Sequence, residues 1–192
     1  MKEMILDKFK LHGKSGIVTG GGSGLGKGIA AALVQAGASL IIAARGEERL
    51  KQAAQEMSAF GGPVIPVRTD LSRMDDIQPL VGRAIKEFGK IDFLFNVAGT
   101  IKRAPSEEHP EAYWDEVMMV NLKSLFFLSQ AVAKEMIARK IKGKIVNIAS
   151  LIAVIGGQTV PSYAASKGGV AQVTKSMAND WAKYGIRVNA IG

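Results

Sequence analysis

The chain reads TGGGSGLG from Thr19 to Gly26, and five of the last seven residues of this stretch are glycines. An apolar segment at 15–19, which predicts a strand, precedes the stretch, and an alanine-rich segment at 25–36, which predicts a helix, follows it. Glycines permit a tight turn and let backbone approach a pyrophosphate, and a helix N-terminus offers free N–H groups to its oxygens. The stretch therefore indicates a phosphate site of a dinucleotide, with a glycine-rich turn without ligand as the alternative. A phosphate-hydrolysing P-loop is disfavoured because Gly-Lys-Ser/Thr is missing.

Strand and helix patterns alternate outward from this loop to both ends of the chain. The predicted strands are 15–19, 39–44, 64–68, 91–96, 144–149 and 187–191, and the predicted helices are 25–36, 47–60, 74–88, 113–139 and 163–184. The strands are rich in apolar and β-branched residues, as in strands that are buried on both faces. This predicts an α/β fold with a doubly wound parallel sheet, a three-layer αβα and Rossmann-like arrangement, in one domain over residues 1–192. The ligand site of such a sheet lies at the carboxyl ends of its strands.

The sheet is expected to lack a closing strand. The sequence stops at Gly192, directly after the sixth predicted strand, and a further strand would normally cover that apolar edge. We therefore expect the sequence to be incomplete at its C-terminus.

Composition excludes several classes of site. Among 192 residues there is no cysteine, which excludes disulfides and thiolate metal ligands, and the two histidines, His12 and His109, are too few for a His-rich metal site. No metal is predicted, and His109 is expected to pack or to lie on the surface.

The net charge of +8 is scattered, and its densest stretch, 134–144, has no aromatic residue, so nucleic-acid binding is not predicted. The longest purely apolar run, 29–34, is far shorter than the roughly 20 residues that span a bilayer, and residues 1–4 do not resemble a signal peptide, so a cytoplasmic location and no membrane partner are expected.

The end of the second predicted strand bears on the choice of dinucleotide. A carboxylate at this point binds the ribose 2′-hydroxyl of NAD, but the chain reads Ala43-Ala44-Arg45-Gly46 and has no acid before Glu47. An arginine can pair with a 2′-phosphate and stack on adenine. Arg45 therefore favours NADP over NAD as the cofactor; the alternatives are NAD and a solvated Arg45.

A tyrosine and a lysine share one face of the last predicted helix. Tyr163 and Lys167 are four residues apart, and an ammonium beside a phenol stabilises its ionised form. Such a phenol can pass a proton to or from a carbonyl or alcohol oxygen. Ser150 ends the fifth predicted strand, 13 positions before Tyr163, where a side chain can point into the ligand cleft.

With these residues the chain resembles the short-chain dehydrogenase/reductase family almost from end to end. The matching motifs are T-G-x-x-x-G-x-G from Thr19, Asp70-Leu71, Asn96-Val97-Ala98-Gly99, Asn121, Ser150, Tyr163-x-x-x-Lys167 and Val188-Asn189-Ala190. The family often has a second asparagine where this chain has Val97, a departure from which little effect is expected.

The resemblance implies a role for each matching residue. Tyr163 would be the general acid/base, Ser150 would hydrogen-bond the reacting oxygen, Lys167 would bind the nicotinamide ribose, and Asn121 would hold a water in the proton relay. Asp70 would contact adenine. The full set of implied cofactor-binding residues is Gly20, Gly22, Ser23, Gly24, Leu25, Gly26, Arg45, Asp70, Leu71, Asn96, Ala98, Gly99, Tyr163 and Lys167.

The implied substrate is a sugar acid. Residues 99–105, 113–114 and 123–127 are similar to the members of the family that act on gluconate and 2-deoxy-gluconate, by hydride transfer between a nicotinamide cofactor and a hydroxyl or keto group. Lys102 or Arg103 could pair with the carboxylate, unless both are solvated loop charges. The expected substrate contacts are Arg103, Gln158, Ser150 and Tyr163.

Two other functions remain open at this point. One is reduction of a 3-oxoacyl thioester, and the other is a dinucleotide-binding module without catalysis. The resemblance also implies a homo-oligomer, a tetramer or a dimer, packed through the helices predicted at 113–139 and 163–184.

Overall fold

The computed structural model describes residues 5–192 and contains a six-stranded parallel sheet. The strand order is β3-β2-β1-β4-β5-β6, so the chain reverses its direction across the sheet between β1 and β4. The strands are β1 (Ser15–Thr19), β2 (Ser39–Ala44), β3 (Val64–Arg68), β4 (Phe93–Asn96), β5 (Lys144–Ile148) and β6 (Arg187–Ile191). This confirms the predicted doubly wound sheet; that a further strand follows β6 stays a prediction.

Seven α-helices accompany the sheet in the described residues. They are α1 (Gly24–Gln35), α2 (Glu47–Ser58), α3 (Ile77–Phe88), α4 (Glu111–Met118), α5 (Ser124–Ala138), α6 (Ile152–Ile155) and α7 (Pro161–Trp181). Short 3₁₀ segments occur at Ile5–Phe9, Met74–Asp76, Ser106–Glu108 and Ala182–Tyr184. Over residues 5–192, none of the helices has both the length and the apolar character that a membrane crossing requires.

Two apolar cores lie on opposite faces of the sheet, because successive side chains of a strand point to opposite faces. Ile17 and Ile41 face a core that α3, α5 and α7 complete, whereas Val18, Leu40 and Ile42 face a second core with α1 and α2. All five side chains have no exposed surface. The three layers that the sequence predicts are therefore present.

Several predicted bounds are corrected by the structure. The strand predicted at 91–96 begins only at Phe93, and the carboxylate of the preceding Asp92 binds Lys14, Lys90 and the Ser15 N–H. The helix predicted at 113–139 begins at Glu111, directly after Pro110, and is interrupted by a π-helical turn at Met119–Lys123. The α7 helix begins at Pro161 rather than Tyr163, since proline suits the first position of a helix. Helix α6 was not predicted.

A buried chain of hydrogen bonds joins two strands to two helices. Asn96 Nδ2 on β4 donates to Ser129 Oγ on α5 and to Asn147 Oδ1 on β5, each over 2.9 Å. Asn147 Nδ2 donates to Thr174 Oγ1 on α7, also over 2.9 Å, and that hydroxyl donates to a carbonyl of its own helix. These bonds fix α7 against β5, and α7 carries Tyr163 and Lys167.

Candidate active site

A cleft of about 370 Å³ opens at the carboxyl ends of β1, β2, β3 and β4, where the strand order reverses. It contains ten of the predicted cofactor residues: Gly20, Ser23, Gly24, Leu25, Gly26, Arg45, Asp70, Leu71, Ala98 and Gly99. The cleft is therefore the place where the sequence predicts a dinucleotide.

The backbone of the glycine loop forms the base of the cleft. Gly20 has a φ of +70°, and a Cβ atom there would lie 3.1 Å from the Ala98 nitrogen. A Cβ atom at Gly26 would overlap the Gly20 carbonyl oxygen, so α1 can lie against the loop only because residue 26 is glycine. The Ser23 side chain caps no backbone N–H of α1, so the first turn of this helix is free to bind phosphate oxygens. The loop fits the pyrophosphate of a dinucleotide.

Arg45 and Asp70 lie at the outer part of the cleft, after β2 and β3. Partial burial raises the pKa of the Asp70 carboxyl, but hydrogen bonds from Ser72 and the charges of Arg45 and Arg73 outweigh it, so the pKa lies below its ordinary value. Asp70 is thus an ionised acceptor, and its Oδ1 receives the Ser72 N–H and hydroxyl at 3.0 and 2.7 Å. Arg45 is exposed and free to meet an anion.

The cleft lining lacks four predicted cofactor residues: Tyr163 and Lys167, described below, and Gly22 and Asn96, which have contacts elsewhere in the fold. A Cβ atom at Gly22 would meet Leu50 of α2 at 3.6 Å, which places this glycine at the packing contact between the loop and α2. Asn96 is buried in the hydrogen-bond chain described above. The structure therefore gives both residues contacts within the fold and brings neither into the lining of the cleft.

Lys167 connects α7 to the end of β5. Its Nζ atom donates to the Ile148 carbonyl over 2.5 Å and lies 5.6 Å from the centre of the Tyr163 ring. Burial, which leaves the residue only 4% exposed, lowers the pKa of its ammonium to about 8. Ser150 follows Ile148 by two residues, and its hydroxyl oxygen accepts the Ile152 N–H at 3.2 Å. The predicted serine, tyrosine and lysine thus occupy neighbouring elements at one edge of the sheet.

Asn121 occupies the π-helical turn between α4 and α5, an irregularity that is frequent at functional sites. Its Oδ1 accepts the Thr100 N–H at 2.7 Å, and its Nδ2 donates to the Thr100 carbonyl at 2.9 Å and to Ser166 Oγ at 3.1 Å. The side chain thereby ties the end of β4 to α7.

Gly99 lies between the cleft and the residues around Lys167. A Cβ atom at Gly99 would lie 3.3 Å from Asn121 Oδ1 and 3.9 Å from Lys167 Nζ. Gly99 also lines the cleft, whereas Ser150, Tyr163 and Lys167 do not, so the two groups of predicted residues are neighbours at Gly99.

Two of the four predicted substrate residues lie in exposed loops, whereas Ser150 and Tyr163 are at the positions described above. Arg103 and Gln158 are both exposed, and the two loops are joined by the Ala104 N–H, which donates to the Thr159 carbonyl over 2.9 Å. Lys102 is paired with Glu116 at 2.9 Å, whereas Arg103 forms no ion pair with any residue of 5–192. The structure thus leaves Arg103, and not Lys102, available to a carboxylate.

Some residues that line the cleft were not predicted. They are Ala43, Ala44, Thr69, Val97, Thr100, Glu116 and Val120. The strand-end residues Thr69 and Thr100 could have been found from the rule that ligands bind at carboxyl ends of strands. Glu116 and Val120 lie in and just after α4, and no spacing in the sequence marks them. No group of three or more acidic or histidine residues between residues 5 and 192 could hold a metal ion.

The comparisons with known proteins agree with this geometry. A family model described as short chain dehydrogenase matches residues 14–192. The chain is 47% identical over 188 residues to a 2-dehydro-3-deoxy-D-gluconate 5-dehydrogenase of Escherichia coli strain K12, covering 98% of this chain and 74% of that protein. It is 36% identical over 185 residues to a gluconate 5-dehydrogenase of Gluconobacter oxydans strain 621H, covering 96% of this chain and 72% of that protein.

A solved structure is similar as well. The crystal structure of a proposed 2-deoxy-D-gluconate 3-dehydrogenase from Agrobacterium tumefaciens, with bound NADP, matches with a TM-score of 0.84 and 45% identity, over 96% of this chain and 72% of that one. The chain belongs to the short-chain dehydrogenase family. It is an NAD(P)-dependent oxidoreductase, which confirms the predicted class of enzyme.

Proposed function

We propose that the protein interconverts a hydroxyl and a keto group of a gluconate-type sugar acid. The observation that carries this proposal is the Lys167 ammonium, which lies 5.6 Å from the centre of the Tyr163 ring and 3.9 Å from where a Cβ atom of Gly99, a residue of the cleft lining, would be. A proton-transferring phenol and a dinucleotide would meet at that point. A 3-oxoacyl thioester reductase is the alternative; the non-catalytic module considered from the sequence is excluded by the family to which the chain belongs.

The proposed roles are those that the resemblance to the family implies for these residues. The dinucleotide, when bound, supplies or accepts the hydride. Tyr163 donates a proton to the carbonyl oxygen in the reducing direction and removes it from the hydroxyl in the oxidising direction. Ser150 hydrogen-bonds the same oxygen, Lys167 holds the ribose and stabilises the ionised phenol, and Asn121 positions the relay water.

The substrate class is supported by the relatives and by the loop charges. Both curated relatives described above are named for sugar acids of the gluconate type. Arg103, in the loop after β4, forms no ion pair with any residue of 5–192 and would pair with the sugar carboxylate, because the Lys102 charge is already balanced by Glu116. Gln158, exposed in the facing loop, would contact a sugar hydroxyl.

We propose NADP as the preferred cofactor and NAD as the alternative. Arg45 is exposed directly after β2, where the 2′-position of the adenosine ribose would lie, and the first acid after β2 is Glu47. The similar structure from Agrobacterium tumefaciens was solved with NADP.

We propose that the protein forms a homo-oligomer, either a dimer or a tetramer, through the outer face of its helices. Met118, Met119, Leu122, Phe127 and Val173 line an apolar groove on α4, α5 and α7 that a second copy would cover. Light scattering should give a multimer for the natural protein and a monomer for Phe127→Glu; a natural protein that is monomeric at all concentrations would contradict the proposal.

The substrate proposal is tested by following NAD(P)H absorbance with a panel of sugar acids, their keto forms and 3-oxoacyl thioesters. Activity on sugar acids is expected, and activity on thioesters alone would overturn the assignment. Tyr163→Phe should abolish turnover while NADP affinity, measured by fluorescence, stays within about twofold, since only the proton path is removed. Full turnover by Tyr163→Phe would refute the role given to the phenol.

A further inference from the structure

A histidine outside the predicted site contacts the residue that precedes Tyr163. His109 Nε2 lies 2.9 Å from Ser162 Oγ, and Ser162 has no exposed surface. The His109 ring also packs edge-on against Tyr113, with ring centres 6.0 Å apart. His109 thus spans from the loop after β4 to the first turn of α7.

The protonation of the ring can be assigned from its surroundings. His109 Nδ1 is buried and has no hydrogen-bond partner among residues 5–192. A buried lone pair without a donor is easier to tolerate than a buried N–H without an acceptor. We therefore place the proton on Nε2, from which it is donated to Ser162 Oγ.

A second contact joins the same two segments. The Ala104 N–H donates to the Thr159 carbonyl over 2.9 Å, and Thr159 has a φ of +60°. Positive φ is unfavourable for a β-branched residue and persists only where surrounding contacts impose it, most often at active sites and ligand clamps. Together the His109–Ser162 and Ala104–Thr159 bonds form a two-point clasp between the loop at 99–110 and the segment at 156–162.

We propose that His109 is a positioning residue for catalysis, which acts through Ser162 on the orientation of Tyr163. The first turn of α7 has no side-chain cap of its own, because Val160 occupies the N-cap position and Pro161 follows it. The clasp supplies the missing constraint, and it holds the loop that carries Arg103 against the segment that carries Gln158. This inference rests on the proposed function, because it assigns to Tyr163 the proton transfer.

A matched pair of substitutions separates this role from mere packing. In His109→Gln the side-chain nitrogen occupies the place of Nε2 and keeps the bond to Ser162, whereas in His109→Asn it occupies the place of Nδ1 and loses that bond. We expect kcat to fall about tenfold or more in His109→Asn and less than about threefold in His109→Gln, because small misplacements of reacting groups are costly. NADP affinity should be unchanged in both variants, since the clasp lies outside the cleft lining.

The dependence on Ser162 is tested by a double-mutant cycle. Ser162→Ala should lower kcat as much as His109→Asn does, and the double variant should show no additional loss. Equal kcat values for the two His109 variants, additive losses, or full activity of Ser162→Ala would each overturn the proposal.

A spectroscopic measurement distinguishes failure of the clasp from failure of the proposed function. The chain has three tyrosines, so ¹³Cζ-tyrosine spectra give three resonances that Tyr163→Phe and Tyr184→Phe assign. The Tyr163 resonance should shift in His109→Asn and in Ser162→Ala, with Tyr184 as the internal reference. A Tyr163 resonance that is the same in both variants and in the natural protein would refute the clasp even if no substrate is found, whereas inactivity of the natural protein on sugar acids would refute only the proposed function.

Discussion

Replacement of Lys167 by methionine should change how the stability of the protein depends on pH. Burial lowers the pKa of this ammonium from the ordinary value of 10.5 to about 8. Between these values the unfolded chain binds more protons than the folded one, so the Lys167 contribution makes the free energy of unfolding rise with pH. One pKa unit corresponds to about 1.4 kcal/mol, so burial of the charged form costs about 3 kcal/mol below pH 8 and nothing above pH 10.5.

The assay is urea unfolding of the natural protein and of Lys167→Met at pH 7, 8, 9 and 10. The free energy of unfolding of the natural protein, minus that of the variant, should increase by about 2 kcal/mol over this range, because most of the penalty is removed by pH 10. Lys175→Met, which replaces an exposed lysine on the same helix, should give a constant difference. A constant difference for Lys167→Met as well would refute the reasoning that burial lowers this pKa.

Three other substitutions test the cleft and the core. Arg45→Ala should weaken NADP binding by roughly 10- to 100-fold and NAD binding much less, measured by fluorescence titration, because only NADP offers a 2′-phosphate; equal losses would contradict the assignment. Gly26→Ala should abolish dinucleotide binding or destabilise the fold by about 1–3 kcal/mol, because the added Cβ atom meets the Gly20 carbonyl. A variant that matches the natural protein in both calorimetry and dinucleotide titration would contradict this expectation. Thr174→Val should cost about 1–3 kcal/mol in urea unfolding, because Asn147 Nδ2 loses its acceptor, and an unchanged midpoint would show that another group replaces it.

The sequence was sufficient for the sheet and for the cleft because both depend on short-range patterns. Apolar strands followed by polar or glycine residues mark where strands end, and parallel strands bring those ends together. The glycine loop was found in this way, Asp70 and Gly99 were found from the family motifs, and all of them contribute to the cleft lining. The α3 helix ends at Phe88, as predicted, and Gly89, which has a φ of 72°, follows it as the C-cap.

Other features depend on contacts that no local pattern encodes. Asn96 matches a family motif at the end of a strand, but its amide turns into the core because Ser129 and Asn147 are there to meet it. The partners of His109 and Thr159 come from segments about 50 residues away in the chain, so their contacts could not be read from spacing. The pairing of Lys102 with Glu116, which leaves Arg103 free, became visible only once α4 was placed.

The π-helical turn divides one continuous helical rod into two parts with different angular phases. One additional residue in a turn rotates everything beyond it by about 100° around the axis. The upstream part can therefore direct Glu116 towards the cleft while the downstream part buries Leu128 and Val132 on the face that the sheet requires. If a single residue within 119–123 were removed, the helix could no longer direct Glu116 to the cleft and bury Leu128 and Val132 at the same time. The side chains that line the cleft and those that pack in the core can thus be oriented independently along one helical axis. Asn121 lies in the turn that separates the two parts.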